Sequence, residues 1–467
     1  MQTLLFTLQV LVAVSVTVHV LLRKRDVRSA LGWIGVAWLS PLVGGLLYYL
    51  FGINRVTRRA LHLGKFERER IAAARRNPLP SAEAPNIETL AAISLRVSGN
   101  PLTSGNSVSL LHGGDEAYPA MLAAIRGAQR SIGLASYIFR DDAIGRSFVG
   151  ALVEAGSRGV AVRVLLDGVG SGYVLPSVLR RLAIGRVPVA RFLHTWAPWR
   201  MPFLNMRNHK KLLIVDGATG FTGGLNIGAE NVARLTSRNR VDDVHARIEG
   251  PVVRQLMATF AEDWSFTTGE VLDQDIWWPA LAPIGPILAR GIASGPDADQ
   301  DKLETILGAA LTQARGRVRI VSPYFLPDQR LQFAIAETLL RGVAVDILIP
   351  EESDYPFMGW AMLANLRFLM ELPVNVYLSP PPFDHAKLMT LDREWCLIGS
   401  SNWDTRSLRL NFEFDLECYD WTLTAALDAL IDGKIARSRR LSREALMAMP
   451  RWQQLRDAAS RLMLPYL

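Results

Sequence analysis

Through its first fifty residues the chain is almost continuously apolar. Residues 3–22 are interrupted only by Thr, Ser, Gln9 and His19 and carry no formal charge. After a basic patch of Arg23, Lys24, Arg25 and Arg28, a second uncharged run extends from Ala30 to Phe51. Each run is about 20 residues long, enough for a helix to cross a hydrocarbon core of roughly 30 Å. The pattern predicts a membrane hairpin over residues 1–54. Trp33, Trp38, Tyr48 and Tyr49 suit interfacial positions, and Pro41 with Gly44 and Gly45 would kink the second helix. A cleavable signal peptide would carry its positive charge before the apolar run, whereas here the charge follows it. One span plus an interfacial segment, or two buried core helices, are the alternatives.

The next stretch is polar and basic. Arg55, Arg58, Arg59, Lys65, Arg68, Arg70, Arg75 and Arg76 outnumber Glu67 and Glu69, so residues 54–76 read as a helix along anionic headgroups or as a solvated helix. This segment favours a cytoplasmic body behind a multi-pass anchor, although the basic loop of the hairpin pulls the other way. Residues 77–107, rich in Pro, Ser, Asn and Ala without clear periodicity, read as a linker, which makes residues 55–107 a juxtamembrane helix and linker. From Val108 short β-branched runs alternate with amphipathic helical stretches, the pattern of α/β layers.

The body repeats itself. SIGLASYIF (131–139), a helix and RGVAVRVLLDG (158–168) are matched by RVRIVSPYFLPD (317–328), a helix and RGVAVDILIP (341–350). Two similar lobes are expected, at residues 108–272 and 285–467. A second repeat is sharper. HKKLLIVDGATGFTGGLNIG (209–228) and HAKLMTLDREWCLIGSSN (385–402) share His, any residue, Lys, four residues, Asp: His209, Lys211, Asp216 and His385, Lys387, Asp392. At a common offset follow Gly223, Gly224, Asn226 and Gly399, Ser400, Asn402. The chain has only seven His and seven Lys in 467 residues, so chance is a poor source for two such copies.

Composition adds little to this. The hydrophobic fraction of 49% is raised by the apolar first 51 residues, and a net charge of +8 fits anionic lipid or nucleic acid equally. Cys396 and Cys418 read as buried free thiols, since two cysteines make neither a disulfide framework nor a four-cysteine metal site.

His209 and Lys211, two apart at the start of a strand, point to one side of it. Two lobes would gather two imidazoles, two lysines and two asparagines around one centre, a set suited to a phosphodiester. Lys and Asn donors neutralise the non-bridging oxygens, one neutral imidazole attacks phosphorus, and the other protonates the leaving alkoxide. His-x-Lys has no Cys or carboxylate at ligand spacing, so neither metal nor cofactor is expected.

These paired motifs resemble the phospholipase D superfamily, and hairpin plus body resembles its bacterial cardiolipin synthases. RNHKKLLIVDG, DDVHARIEGP (242–251), SPYFLPD and GSSNWDTRSLRLNFE (399–413) extend the likeness over nearly the whole chain. The resemblance implies two α/β/α lobes with the active site at their junction, in a protein of the bacterial inner membrane. It implies a reaction that joins two phosphatidylglycerols into cardiolipin and releases glycerol. It further implies that His209 and His385 are nucleophile and acid/base, with the N-terminal histidine favoured as nucleophile by analogy. Lys211, Lys387, Asn226 and Asn402 become the phosphate grip. Asp216 and Asp392 belong to the motif's catalytic set, although in such proteins they are more often structural. Asp243 and Glu413, 34 and 28 residues after their own motif's histidines, become the carboxylates that orient the rings. A hydrolase using water, a phosphatidylserine synthase, a metal-independent nuclease and a non-enzymatic membrane scaffold are the rival readings; two predicted spans disfavour the nuclease, and no nucleic-acid partner is expected.

Trp196, Trp199, Met201 and Phe203 form a candidate lipid-dipping lip, or a packed surface loop. Tyr137 and Tyr324 are read as ending equivalent strands of the two lobes.

Overall fold

The computed structural model describes residues 2–24, 27–52, 86–172, 177–194, 206–235, 240–296 and 301–462. The predicted juxtamembrane helix over 54–76 and the lip around Trp196 to Phe203 lie outside the described residues.

The N-terminal unit is helical. Gln2–Arg23 is long and apolar enough to cross a membrane, with a mean hydropathy of 2.2. The second run is not one helix. Val27–Leu39 ends where Ser40 leaves helical geometry, and Pro41–Leu47 restarts with proline in its first turn. Proline lacks the N–H that would continue the first helix, and it suits the start of the second. The pieces fold back on the first helix: Trp38 Nε1 donates to Thr17 Oγ1 at 3.0 Å, and His19 Nδ1 meets the Tyr48 hydroxyl at 2.7 Å.

The body is built on one sheet of 15 strands among the described residues. From the junction outward, the first lobe runs Thr103–His112, Val244–Glu249, Thr219–Gly223, Leu212–Val215, Ser131–Ser136, Ala161–Asp167, Val189–Phe192. The second runs Ile287–Ser294, Glu413–Tyr419, Trp395–Gly399, Leu388–Leu391, Arg317–Val321, Ala344–Pro350, Asn375–Ser379, with Arg439–Leu441 added at the edge. The two orders correspond strand for strand. The lobes join where Thr103–His112 pairs antiparallel with Ile287–Ser294.

Strand alternation puts helices on both faces. In Ser131–Ser136, Ile132 and Leu134 enter a core with the helices Gly113–Gly127 and Ala143–Ser157, while Gly133 faces Phe260 of Val253–Thr268. In the matching strand, Val318 and Ile320 enter the other lobe's core, while Arg319 reaches Asp428 and Asp432 of Trp421–Arg437. The inner strands Leu212–Val215 and Leu388–Leu391 are buried at every position, which is why they read as unbroken apolar runs.

The linker reading of 77–107 needs correction over its described part. Asn86–Ser98 is a helix, and Thr103–His112 is the ten-residue strand at the lobe junction. Leu90 enters the second lobe's core, and Ser94 Oγ donates to the buried Glu417 at 2.9 Å. The inner face of this helix mixes Leu90 with Ser94 and Ser98, so its burial leaves little hydropathy signal. Cys396 and Cys418 are buried, free and opposite one another on neighbouring strands.

Candidate active site

Both histidines sit just before buried inner strands, in extended segments that cross to the other lobe. His209 N donates to Phe412 O at 2.8 Å, and His385 N donates to Asp242 O at 2.7 Å. The residue after each acceptor is the carboxylate that takes the ring. His209 Nδ1 lies 2.8 Å from Glu413 Oε2, and His385 Nδ1 lies 2.8 Å from Asp243 Oδ2. The pairing is therefore crossed, and this corrects the assignment of each carboxylate to its own motif. Asp243 immediately precedes the strand Val244–Glu249 and Glu413 opens the strand Glu413–Tyr419, so each carboxylate stands where its lobe's strand begins, beside the opposite lobe's histidine.

Lys211 Nζ donates to His209 O at 2.7 Å, and Lys387 Nζ likewise donates to His385 O. Each ammonium has further donors for a ligand. Burial lowers both against the nearby carboxylates, Lys211 to about 7, with Lys387 adding to the effect, and Lys387 to about 8. Burial and the lysines also depress the imidazoles, His385 to about 4 and His209 well below its ordinary value. Lys387 acts on His209 and Lys211 on His385, so the half-sites share one electrostatic centre.

The carboxylates differ. Burial pushes Glu413 up to about 7, although Lys211 and hydrogen bonds from Ser400 and Asn411 oppose it. Burial also pushes on Asp243, but Lys387 and His385 outweigh it and hold Asp243 below its ordinary value.

The asparagines are placed unequally. Asn226 Oδ1 accepts from Ile138 N at 3.2 Å, whereas Asn402 Oδ1 is buried without a hydrogen-bond partner. The motif aspartates are not at the centre, contrary to their grouping with the catalytic set. Asp216 accepts from the backbone N–H groups of Gln129, Arg130 and Ser131 at 2.7–3.1 Å. Asp392 accepts from those of Arg315, Gly316 and Arg317 at 2.7–2.8 Å. Each lies past the far end of the strand that its histidine precedes, where it ties the start of the neighbouring strand.

Tyr137 packs edge-on against His209 with ring centroids 4.8 Å apart, and its ring lies 5.4 Å from Lys211 Nζ. Its match to Tyr324 is off by one. Ser136 and Ser322 make equivalent hydrogen bonds two residues ahead, so Ile138 corresponds to Tyr324, which donates to Asp354 at 2.6 Å.

Two supports went unnoticed in the sequence. Lys434 binds Asp384 at 2.7 Å and Asp242 at 3.0 Å, fixing both sides of the His385 crossing. Lys210 binds Asp263 at 2.8 Å, and Asp263 also accepts from Asn208 at 3.1 Å, beside His209. Lysine scarcity was the available signal, since these two are among only seven.

Two matched α/β lobes with a His-x-Lys pair from each at one centre define the phospholipase D class. Residues 121–264 and 307–434 match the family described as cardiolipin synthase, PLD-like domain, and residues 11–52 match phospholipase D-nuclease N-terminal. The major cardiolipin synthase of Bacillus subtilis is 30% identical over 100% of this chain and 98% of its own length. Cardiolipin synthase A of Pseudomonas syringae is 31% identical over 98% of this chain and 96% of its own. The crystal structure of Haemophilus influenzae phosphatidylserine synthase shares the fold, with a TM-score of 0.64 and 16% identity over 80% of this chain and 99% of that one. The chain belongs to the cardiolipin synthase family, whose members are phospholipase D-type phosphatidyltransferases.

Proposed function

We propose that this protein moves a phosphatidyl group from one phosphatidylglycerol to another, forming cardiolipin and releasing glycerol. The observation that carries the proposal is the crossed pair of histidines, each oriented through Nδ1 by a carboxylate of the opposite lobe, with Nε2 left for chemistry. Lys211, Lys387, Asn226 and Asn402 hold the non-bridging phosphate oxygens. A bound phosphate monoanion raises the proton affinity of both lysines and of His385, which burial and Lys387 lower to about 4 in the empty site, and so charges them where charge is needed.

His209 Nε2 attacks phosphorus, and the bond to the glycerol oxygen breaks. His385 gives its proton to that oxygen, and glycerol leaves a phosphatidyl-histidine behind. His385 then takes the proton from a hydroxyl of the second phosphatidylglycerol, whose oxygen attacks phosphorus as the P–N bond breaks. An imidazolium is better supported by Asp243, held below its ordinary value, than by Glu413, which burial pushes up to about 7; this favours His385 as acid/base and His209 as nucleophile. The protein acts as a multi-pass inner-membrane enzyme with a cytoplasmic body formed by two lobes that begin at the paired strands Thr103–His112 and Ile287–Ser294.

Incubating the purified full-length protein with phosphatidylglycerol alone tests the proposal. Cardiolipin and glycerol in equal amounts are expected. Phosphatidic acid without cardiolipin would make the protein a hydrolase, and DNA cleavage without lipid turnover would make it a nuclease.

A further inference from the structure

Helix Arg451–Arg461 has its faces reversed. The side packed against the body is polar: Asp457 is fully buried and bound by Arg456 at 2.7 Å, and Gln454 donates to Met449 O at 2.7 Å. Arg456 lies between two indoles, 4.4 Å from the Trp360 ring centroid and 5.5 Å from that of Trp452. The apolar side faces outward, with Trp452, Leu455 and Leu462 exposed at 62%, 71% and 74%. At 3.6 residues per turn these three and Ala459 fall within an arc of about 80°. A helix that only covers a soluble body turns such a stripe inward.

The surroundings indicate what meets the stripe. Exposed Arg451 and Arg461 stand at the two ends of the helix. Pro356–Leu369 packs beside it and exposes Phe368, whose ring meets that of Phe333 on Gln329–Leu340 edge-on at 5.7 Å. An apolar stripe with a tryptophan, flanked by arginines, has the chemistry of an interfacial helix on anionic lipid. The same chain carries a helix long and apolar enough to cross a membrane.

We propose that helix Arg451–Arg461 is a membrane-surface element that seats Trp452, Leu455 and Leu462 in the headgroup–acyl boundary of an anionic bilayer. Arg451 and Arg461 meet lipid phosphates, and the buried polar face ties the helix to the second lobe. Lipid contact by this helix is separate from turnover at the histidines, so its test does not depend on the reaction.

The test uses the full-length protein carrying Leu455→Cys, labelled with a polarity-sensitive fluorophore and reconstituted in nanodiscs containing spin-labelled lipid. The chain's own two cysteines are buried, which leaves the introduced thiol to react. Glu154→Cys, on an exposed face of the first lobe, is the control. Phosphatidylserine is the anionic lipid, so that no phosphatidylglycerol is present. The label at 455 is expected to shift to the blue and to be quenched at least about threefold more than the label at 154, more strongly in anionic discs. Arg451→Gln with Arg461→Gln should remove the anionic increment. Equal quenching at the two positions, no dependence on anionic lipid, or a blue shift that spin-labelled lipid leaves unquenched, as burial against a second copy would give, each overturns the proposal.

Discussion

Asp243 and Glu413 occupy matched places in the two lobes, yet they work in different surroundings. A Cβ at Gly224 would collide with the Asp243 carboxylate, so that lobe has only hydrogen there. The corresponding Ser400 donates its hydroxyl to Glu413 at 2.6 Å. Two residues further on, His245 in the first lobe stands where the second has Asp415, which burial pushes up to about 7 and which accepts from Ser401 at 2.5 Å. The repeated halves keep the His-x-Lys grip on phosphate and differ in how tightly each carboxylate holds a proton. A transfer that needs one neutral and one protonated imidazole calls for such a difference.

The comparison can be broken at several points. His209→Ala and His385→Ala should each lower transfer by about 10³-fold or more while the protein stays folded in the membrane, read by product formation and circular dichroism. Near-normal turnover in either variant would end the two-histidine account. Asp243→Asn should cost about 10²–10³-fold in kcat, because it removes the anion that supports a proton on His385. Glu413→Gln, which copies a carboxyl already near neutrality, should cost about tenfold. Equal losses would mean that the half-sites are equivalent.

A pH profile sharpens the picture further. Lysines lowered to about 7 and about 8 are charged below those values and lose charge above them. The kcat/KM of the free enzyme for an anionic lipid should therefore fall as pH rises through 7 to 8, and a flat profile well into the alkaline range would contradict the grip. The smallest effect on chemistry belongs to Asp216→Ala. It should destabilise the body by about 1–3 kcal/mol in a denaturant titration, through lost hydrogen bonds to backbone N–H groups, with little change in turnover per folded molecule.

Much of this site was legible in the residues themselves. The duplicated motifs name both histidines, both lysines and both asparagines, and buried inner strands read as apolar runs. The crossing was not legible. Glu413 stands 204 residues from His209, and Asp243 stands 142 from His385, so sequence proximity to the wrong histidine was misleading. Only the meeting of the two lobes selects the partner. Asp216 and Asp392 look catalytic because they close the motif, but a four-residue strand carries them away from the histidine to the opposite end. The helix Asn86–Ser98 was hidden because it buries serines on its inner face. The break at Ser40 was foreshadowed by Pro41, although one bent helix was expected where two short ones form.

The most direct test of divided labour between the lobes is to trap the covalent intermediate. A short-chain, phosphorus-labelled phosphatidylglycerol is mixed with the full-length protein, quenched in base, and the labelled peptide is mapped. A phosphatidyl adduct on His209, absent from His209→Ala and retained in His385→Ala supplied with a good leaving group, is the predicted result. An adduct on His385 alone would contradict the assignment, and no adduct on either histidine would contradict the mechanism.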